Sequence, residues 1–266
     1  MIQELKSGIL ITKTTSSGEH MTKKIQTTTP QFTVQDYKGR HNADLKASSD
    51  RLKKLASYRD LSTICIVPNN GLISAKVAES WLNQTSQMNQ KFVRLMMIGM
   101  EKYFGFNSCI ENILATPKLN EFKYILTLEE DVIIPPDGLH KLFESIENFD
   151  VVGGLSFSRG EEGFPLVYGD PRILPQTMNR SVVYPEIIQP CFGVGTAYTL
   201  FKTEIFKNEK LKKPWFNLDP RREAGKITNE YIDFNFFDNI KKLGYKVACD
   251  TRVRVGRYDM ATDIIW

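Results

Sequence analysis

From residue 61 onward, short apolar runs alternate with stretches whose apolar positions recur at helical spacing. That alternation predicts an α/β fold, a mostly parallel central sheet with helices on both faces. Residues 62–67 (STICIV) form a β-rich run closed by Pro68-Asn69-Asn70-Gly71, a strand leading into a loop. A helix is expected over 73–82, a strand over 92–97, and a second helix over 106–114 that stops at Pro117. The run YILTL at 124–128 reads as a third strand and passes straight into Glu129-Glu130-Asp131. A helix over 137–148 follows, with Asp137 near its start, where a carboxylate can serve free N–H groups. Further strands are expected at 150–154, 196–201 and 246–249, and an amphipathic helix at 233–243 ends on Gly244. The Gly/Pro-rich stretch 158–190 is too long for a simple turn and reads as a binding loop or lid.

Residues 1–60 break this pattern. Thr, Ser, Lys and Gln dominate, apolar periodicity is weak, and a short helix is expected only near 49–58. The chain therefore divides into a polar N-terminal extension, 1–60, and one α/β domain, 61–266. The extension is either an arm that packs on a second subunit, giving a homo-oligomer, or a peripheral tail.

Composition narrows the class. At 41% hydrophobic and 25% charged residues, the chain is neither disordered nor fibrous. Its net charge of +4 has no concentrated basic stretch of the kind a dedicated nucleic-acid binder shows; Lys207 to Lys213 with Arg221 and Arg222 comes nearest and reads as solvated surface. Cys65, Cys109, Cys191 and Cys249 form no C-x-x-C pair, which argues against a zinc cluster or a disulfide framework and fits a reducing compartment. The N-terminus has no apolar signal region and no run reaches the length of a membrane span, so a cytoplasmic location is expected.

In an open α/β sheet, ligands bind beyond the carboxyl ends of the strands. Glu129 and Asp131 stand there, two residues apart at a strand end, where side chains point the same way. Carboxylates without a His or Cys cluster suit a hard cation, Mg²⁺ or Mn²⁺, which would bridge a diphosphate and stabilise a departing nucleotide. A solvated acidic loop is the plainer alternative.

Several segments, in order, resemble family-2-like GT-A glycosyltransferases, in particular the short single-domain type of bacteriophage and bacterial genomes. YILTLEEDVIIPPDGLHKL at 124–142 is similar to the region of the family's D-x-D motif. IVPNNG at 66–71 resembles its first strand and nucleotide loop, DVVGGLSF at 150–157 the strand before the acceptor loop, and GVGTAYTLFKTEIF at 193–206 a Gly-rich segment. KPWF at 213–216, Asp233 with Phe236, LGY at 243–245 and the closing CDTRVRVGRYD complete the series. The resemblance spans about 61–259.

It implies a Rossmann-like GT-A domain moving a sugar from a nucleotide-sugar, most simply a UDP-sugar, to an acceptor hydroxyl of a glycan, a protein or a modified nucleic acid. The reaction would invert the anomeric centre with help from Mn²⁺ or Mg²⁺. By the same resemblance, Glu129 and Asp131 hold the metal, Pro68, Asn69, Glu101 and Asn107 line the nucleotide site, and Asp233 is the general base, with Glu230 as substitute. Trp215 and Phe216 wall the acceptor site, or simply pack the core. Two positions depart from the family pattern: Ile232 stands where a Glu precedes the base, and Arg257 stands where a metal-binding His is usual. Arg257 would pair with the donor diphosphate or, more plainly, with a carboxylate such as Asp259. The alternative function is a degenerate GT-A domain serving as a non-catalytic binding or structural component. A nucleotidyltransferase is disfavoured because PNNGLISAK lacks a Gly-rich phosphate cradle.

Overall fold

The computed structural model describes residues 59–85, 90–159, 163–169, 181–217, 221–223, 226–228 and 234–266. The extension at 1–58 and the candidate bases Glu230 and Asp233 lie outside the described residues.

In chain order the elements are β1 (Thr63–Asn69), α1 (Ala75–Leu82), β2 (Phe92–Ile98), α2 (Lys102–Ala115), α3 (Pro117–Asn120), β3 (Tyr124–Leu128), β4 (Val132–Ile133) and α4 (Gly138–Ser145). Then come β5 (Val151–Leu155), β6 (Val167–Tyr168), β7 (Ile188–Cys191), β8 (Gly193–Val194), β9 (Tyr198–Lys202) and α5 (Glu204–Lys207). The chain closes with β10 (Arg221–Glu223), β11 (Lys226–Thr228), α6 (Phe234–Lys242), β12 (Val247–Arg254), β13 (Gly256–Asp259) and β14 (Ile264–Ile265).

The main sheet has seven strands in the order β2-β1-β3-β9-β5-β12-β7. β2, β1, β3, β5 and β12 run one way, while β9 and β7 run against their neighbours. The expected mostly parallel α/β sheet is therefore present, with two reversed strands.

Both faces of the sheet are covered, and successive residues feed opposite cores. On β1, Ile64 and Ile66 join a core with Phe106, Ile110 and Ile113 of α2 and Phe236 and Ile240 of α6. Cys65 and Val67 point the other way, into a core with Val77 and Trp81 of α1 and Leu139, Leu142 and Phe143 of α4. Every residue of β1, β3 and β5 is buried. That is why these strands read as continuous apolar runs rather than as alternating ones.

Several expected boundaries move for identifiable reasons. α2 begins at Lys102, four residues before the expected start, and takes Glu101 as its N-cap. Gly105, a poor helix former, obscures that first turn. The glycine is required by packing, since a Cβ there would lie 2.6 Å from Cβ of Pro68 at the end of β1. Asp137 precedes α4 but makes no capping bond; it is fully buried and pairs with Lys141 at 2.8 Å. The stretch 158–190 is not wholly loop, since it contains β6 and the start of β7. The final strand continues to Arg254 through a register shift between Asp250 and Arg254, where a charged pair interrupts the apolar pattern.

That pair is part of a buried network joining α4 to β12. Arg252 donates to both oxygens of Asp250, at 2.9 and 2.8 Å, and to Glu144 at 3.0 Å. The Ser145 hydroxyl donates to Asp250 at 2.6 Å.

Candidate functional site

The carboxyl ends of β1, β2 and β3 open onto a cleft of about 700 Å³. Its floor is the loop after β1, shaped by Asn69, whose Oδ1 accepts from the Gly71 N–H at 3.0 Å while its Nδ2 donates to the Val67 carbonyl at 3.2 Å. Pro68 is tolerated in β1 because pairing with β3 stops at Ile66, so no neighbour on that side needs its missing N–H. The Gly99 N–H donates to the Asn69 carbonyl at 2.7 Å and fixes the loop after β2 alongside. Of the expected nucleotide-site residues, Pro68, Asn69, Glu101 and Arg257 line this cleft together with Glu129 and Asp131.

Glu101 lies beyond β2 and caps α2. Its carboxylate accepts the Tyr103 and Phe104 N–H groups at 3.1 and 3.3 Å at the start of α2. Asn107 is turned away from the cleft. Its Nδ2 donates to the carbonyls of Tyr103 and Phe216, and its Oδ1 accepts from the Phe216 N–H at 3.1 Å, so it clamps the KPWF segment to α2. Trp215 and Phe216 are core residues, 2% and 1% exposed, and line neither this cleft nor the narrower one beside it. Phe216 stacks on Phe236 with centroids 4.8 Å apart and packs against Phe106 at 5.6 Å, while Trp215 meets Phe206 edge-on at 5.5 Å.

The centre of the site is a charged cluster. Glu129 is buried and accepts from Lys102 at 2.6 Å, from the Thr196 hydroxyl at 3.0 Å, and from Arg257. Asp131 pairs with Arg159 at 2.5 Å, and Glu130 accepts the Asn70 N–H at 2.7 Å. Arg257 reaches Glu129 because β13 pairs with β4, setting Arg257 opposite Val132, and because the Tyr258 N–H donates to the Asp131 carbonyl at 2.8 Å. The arginine thus pairs with Glu129 and not with Asp259. Lys102 and Arg159 were not singled out in the sequence. The available signals were modest: Lys102 opens a helix at a strand end, and Arg159 follows β5 at the start of the expected binding loop.

A second, narrower cleft of about 270 Å³ adjoins the first, and Lys102, Glu129, Arg159 and Arg257 line both. Its other walls include Ser158, Thr196, Tyr168 and Phe234, the first residue of α6.

Burial opposes ionisation of Glu129, but Arg257 and Lys102 outweigh it and hold the carboxyl at about 2, below its usual 4.5. A carboxyl depressed by folding stabilises the native state above its unfolded value, and that contribution disappears as pH falls from about 4.5 to about 2. Glu129→Gln is expected to cost about 2 kcal/mol at neutral pH, the scale of charge-assisted hydrogen bonds. Urea unfolding at pH 7 and pH 3 checks this, and the gap between wild type and variant should narrow at the lower pH.

The expected metal does not fit this donor set. Glu129 is neutralised by two cations, Asp131 faces a third, and Glu130 and Glu101 are engaged by backbone N–H groups. Among the described residues no group of three His, Cys, Asp or Glu side chains converges to hold a metal ion.

No protein-family model and no curated protein matches the sequence. Among solved structures, the chain is similar to A197 from STIV, with TM-score 0.50 and 16% identity over 74% of this chain and 86% of that one. It also matches S. aureus TarS 1–349, with TM-score 0.41 and 12% identity over 73% of this chain and 60% of that one. A further match is TarS 1–349 in complex with UDP, with TM-score 0.36 and 13% identity over 73% and 60% of the two chains. The chain thus spans less than two thirds of these TarS chains. Among the described residues, no helix is long and apolar enough to cross a membrane. The topology and the A197 likeness agree with the sequence: this chain has a GT-A-like α/β fold.

Proposed function

We propose that the chain is a glycosyltransferase that takes a sugar from a nucleotide-sugar, in the first instance a UDP-sugar, to an acceptor hydroxyl. One observation carries the reading: Lys102, Arg159 and Arg257 converge at the carboxyl end of β3, where the two clefts of a GT-A-like sheet meet. Three cations at such a junction suit a diphosphate. The larger cleft then takes the nucleoside over the loops after β1 and β2, and the narrower one takes the sugar against Tyr168, Ser158 and Thr196.

In the transfer, the bond from the anomeric carbon to the diphosphate oxygen breaks and the nucleoside diphosphate leaves with the electron pair. The acceptor oxygen forms the new bond to that carbon from the opposite face, and its proton passes to a carboxylate. By the sequence resemblance that carboxylate is Asp233, with Glu230 as substitute. Phe234, the next residue in the chain, lines the narrower cleft, which supports this assignment.

The test pairs a binding readout with a turnover readout. A nucleotide-sugar that binds the folded state should raise the melting temperature, and released nucleoside diphosphate should report turnover. Asp233→Asn is expected to keep the thermal shift and lower turnover roughly 10²-fold or more, the scale of general-base catalysis. Unchanged turnover would move the role to Glu230. A thermal shift without turnover for any donor and acceptor in the wild type would favour the non-catalytic reading.

A further inference from the structure

The carboxylates at this site do not act as open metal ligands, and the positive charge a metal would bring is already supplied by side chains. Lys102, Arg159 and Arg257 stand against one carboxylate, Glu129, in the set common to both clefts, a net charge of +2. The larger cleft also carries Asp131, paired with Arg159, and Glu101 and Glu130, both accepting backbone N–H bonds, so its whole lining is net −1 and the positive excess lies at the junction alone. A divalent cation entering here would face three positive side chains and would have to displace Arg257 and Lys102 from Glu129. A diphosphate faces the opposite balance. Its oxygens can accept from guanidinium and ammonium donors now held by carboxylates, and a guanidinium fork matches two phosphate oxygens at once.

We propose that the diphosphate of the donor is held by Lys102, Arg159 and Arg257 themselves, and that donor binding requires no divalent cation. Glu129 is the internal counter-ion, holding Lys102 and Arg257 at the junction until phosphate oxygens share them. In the transfer step the leaving nucleoside diphosphate gains negative charge, and the same three side chains receive it. This inference rests on the nucleotide-sugar reading above, and adds how that ligand's charge is met.

Calorimetric titration of the full chain with UDP, GDP, ADP and dTDP, each in EDTA and then in Mn²⁺, tests it. At least one diphosphate is expected to bind with the same affinity, within about twofold, in both conditions. Arg257→Ala and Lys102→Ala should each weaken that ligand roughly 10-fold or more in EDTA, with Arg257→Lys losing less because it keeps the charge. Affinity that appears only with Mn²⁺ overturns the proposal while leaving the donor reading intact. Metal-independent binding that survives substitution of all three cations also overturns it. If no nucleoside diphosphate binds in either condition, the donor reading itself falls. Should Arg257→Ala fail to fold, the comparison of EDTA with Mn²⁺ on the unaltered chain still decides the question.

Discussion

Phe216→Ala is expected to destabilise the domain by about 3–5 kcal/mol, the usual loss when a fully buried aromatic side chain is truncated. Phe216 sits at the centre of an aromatic cluster, with Phe236 stacked at 4.8 Å and Phe106, Phe201 and Phe206 within 6.4 Å. Removing the ring takes apolar surface out of contact with α2, β9, α5 and α6 at once, and close-packed neighbours refill such a gap only in part. Phe216→Leu keeps much of the volume and should recover more than half of the loss. Urea unfolding of the two variants measures both. An acceptor-site wall would behave in the opposite way, leaving stability near wild type while acceptor affinity fell.

The second large effect concerns a charge. Asp250→Ala should cost about 3–5 kcal/mol, because it leaves Arg252 partly buried without its bidentate partner. Glu144 still pairs with Arg252 at 3.0 Å, but it meets only one terminal nitrogen, and the Ser145 hydroxyl loses its shorter bond and keeps only the Lys141 carbonyl at 3.1 Å. Arg252→Met in the same background removes the orphaned cation. The double variant is therefore expected to be more stable than Asp250→Ala alone, a non-additivity that thermal unfolding of the two single variants and the double variant would reveal. Additive losses would mean that Arg252 finds solvent once Asp250 is gone.

The sheet was legible because its strands are buried on both faces. YILTL at Tyr124–Leu128 announces itself by five consecutive buried residues, and the strand matches the expected bounds. Elements whose sequences serve two demands were harder to read. Gly105 answers to the approach of Pro68 and hides the first turn of α2, and with it Lys102. Asp250 and Arg252 break the apolar pattern of β12 because they satisfy each other inside the protein. Trp215 and Phe216 show the limit of composition, since an aromatic pair before a polar stretch reads alike in a core and in a binding wall. Glu129 and Asp131 were found from the strand end alone, but their partners were not. Lys102 and Arg159 are single charges in unrelated segments, and only the sheet order brings them together. Arg257 was placed near the carboxylates by the family resemblance, and the pairing of β13 with β4 supplies the physical reason.

That pairing gives the two arginines of the cluster different mechanical standing. Arg257 is held in a three-stranded ribbon, with Val132 opposite on one side and, on the other, mutual backbone hydrogen bonds to Trp266 at 3.0 and 2.9 Å. Arg159 extends from the loop after β5, its side chain 49% exposed. One is a fixed jaw and the other a travelling one. On the proposed diphosphate reading, an incoming anion would register against the ribbon-held guanidinium, while the exposed arm would adjust to the separation of the phosphates. Such a vice would tolerate variation in the ligand on its solvent side and very little on the side of the ribbon.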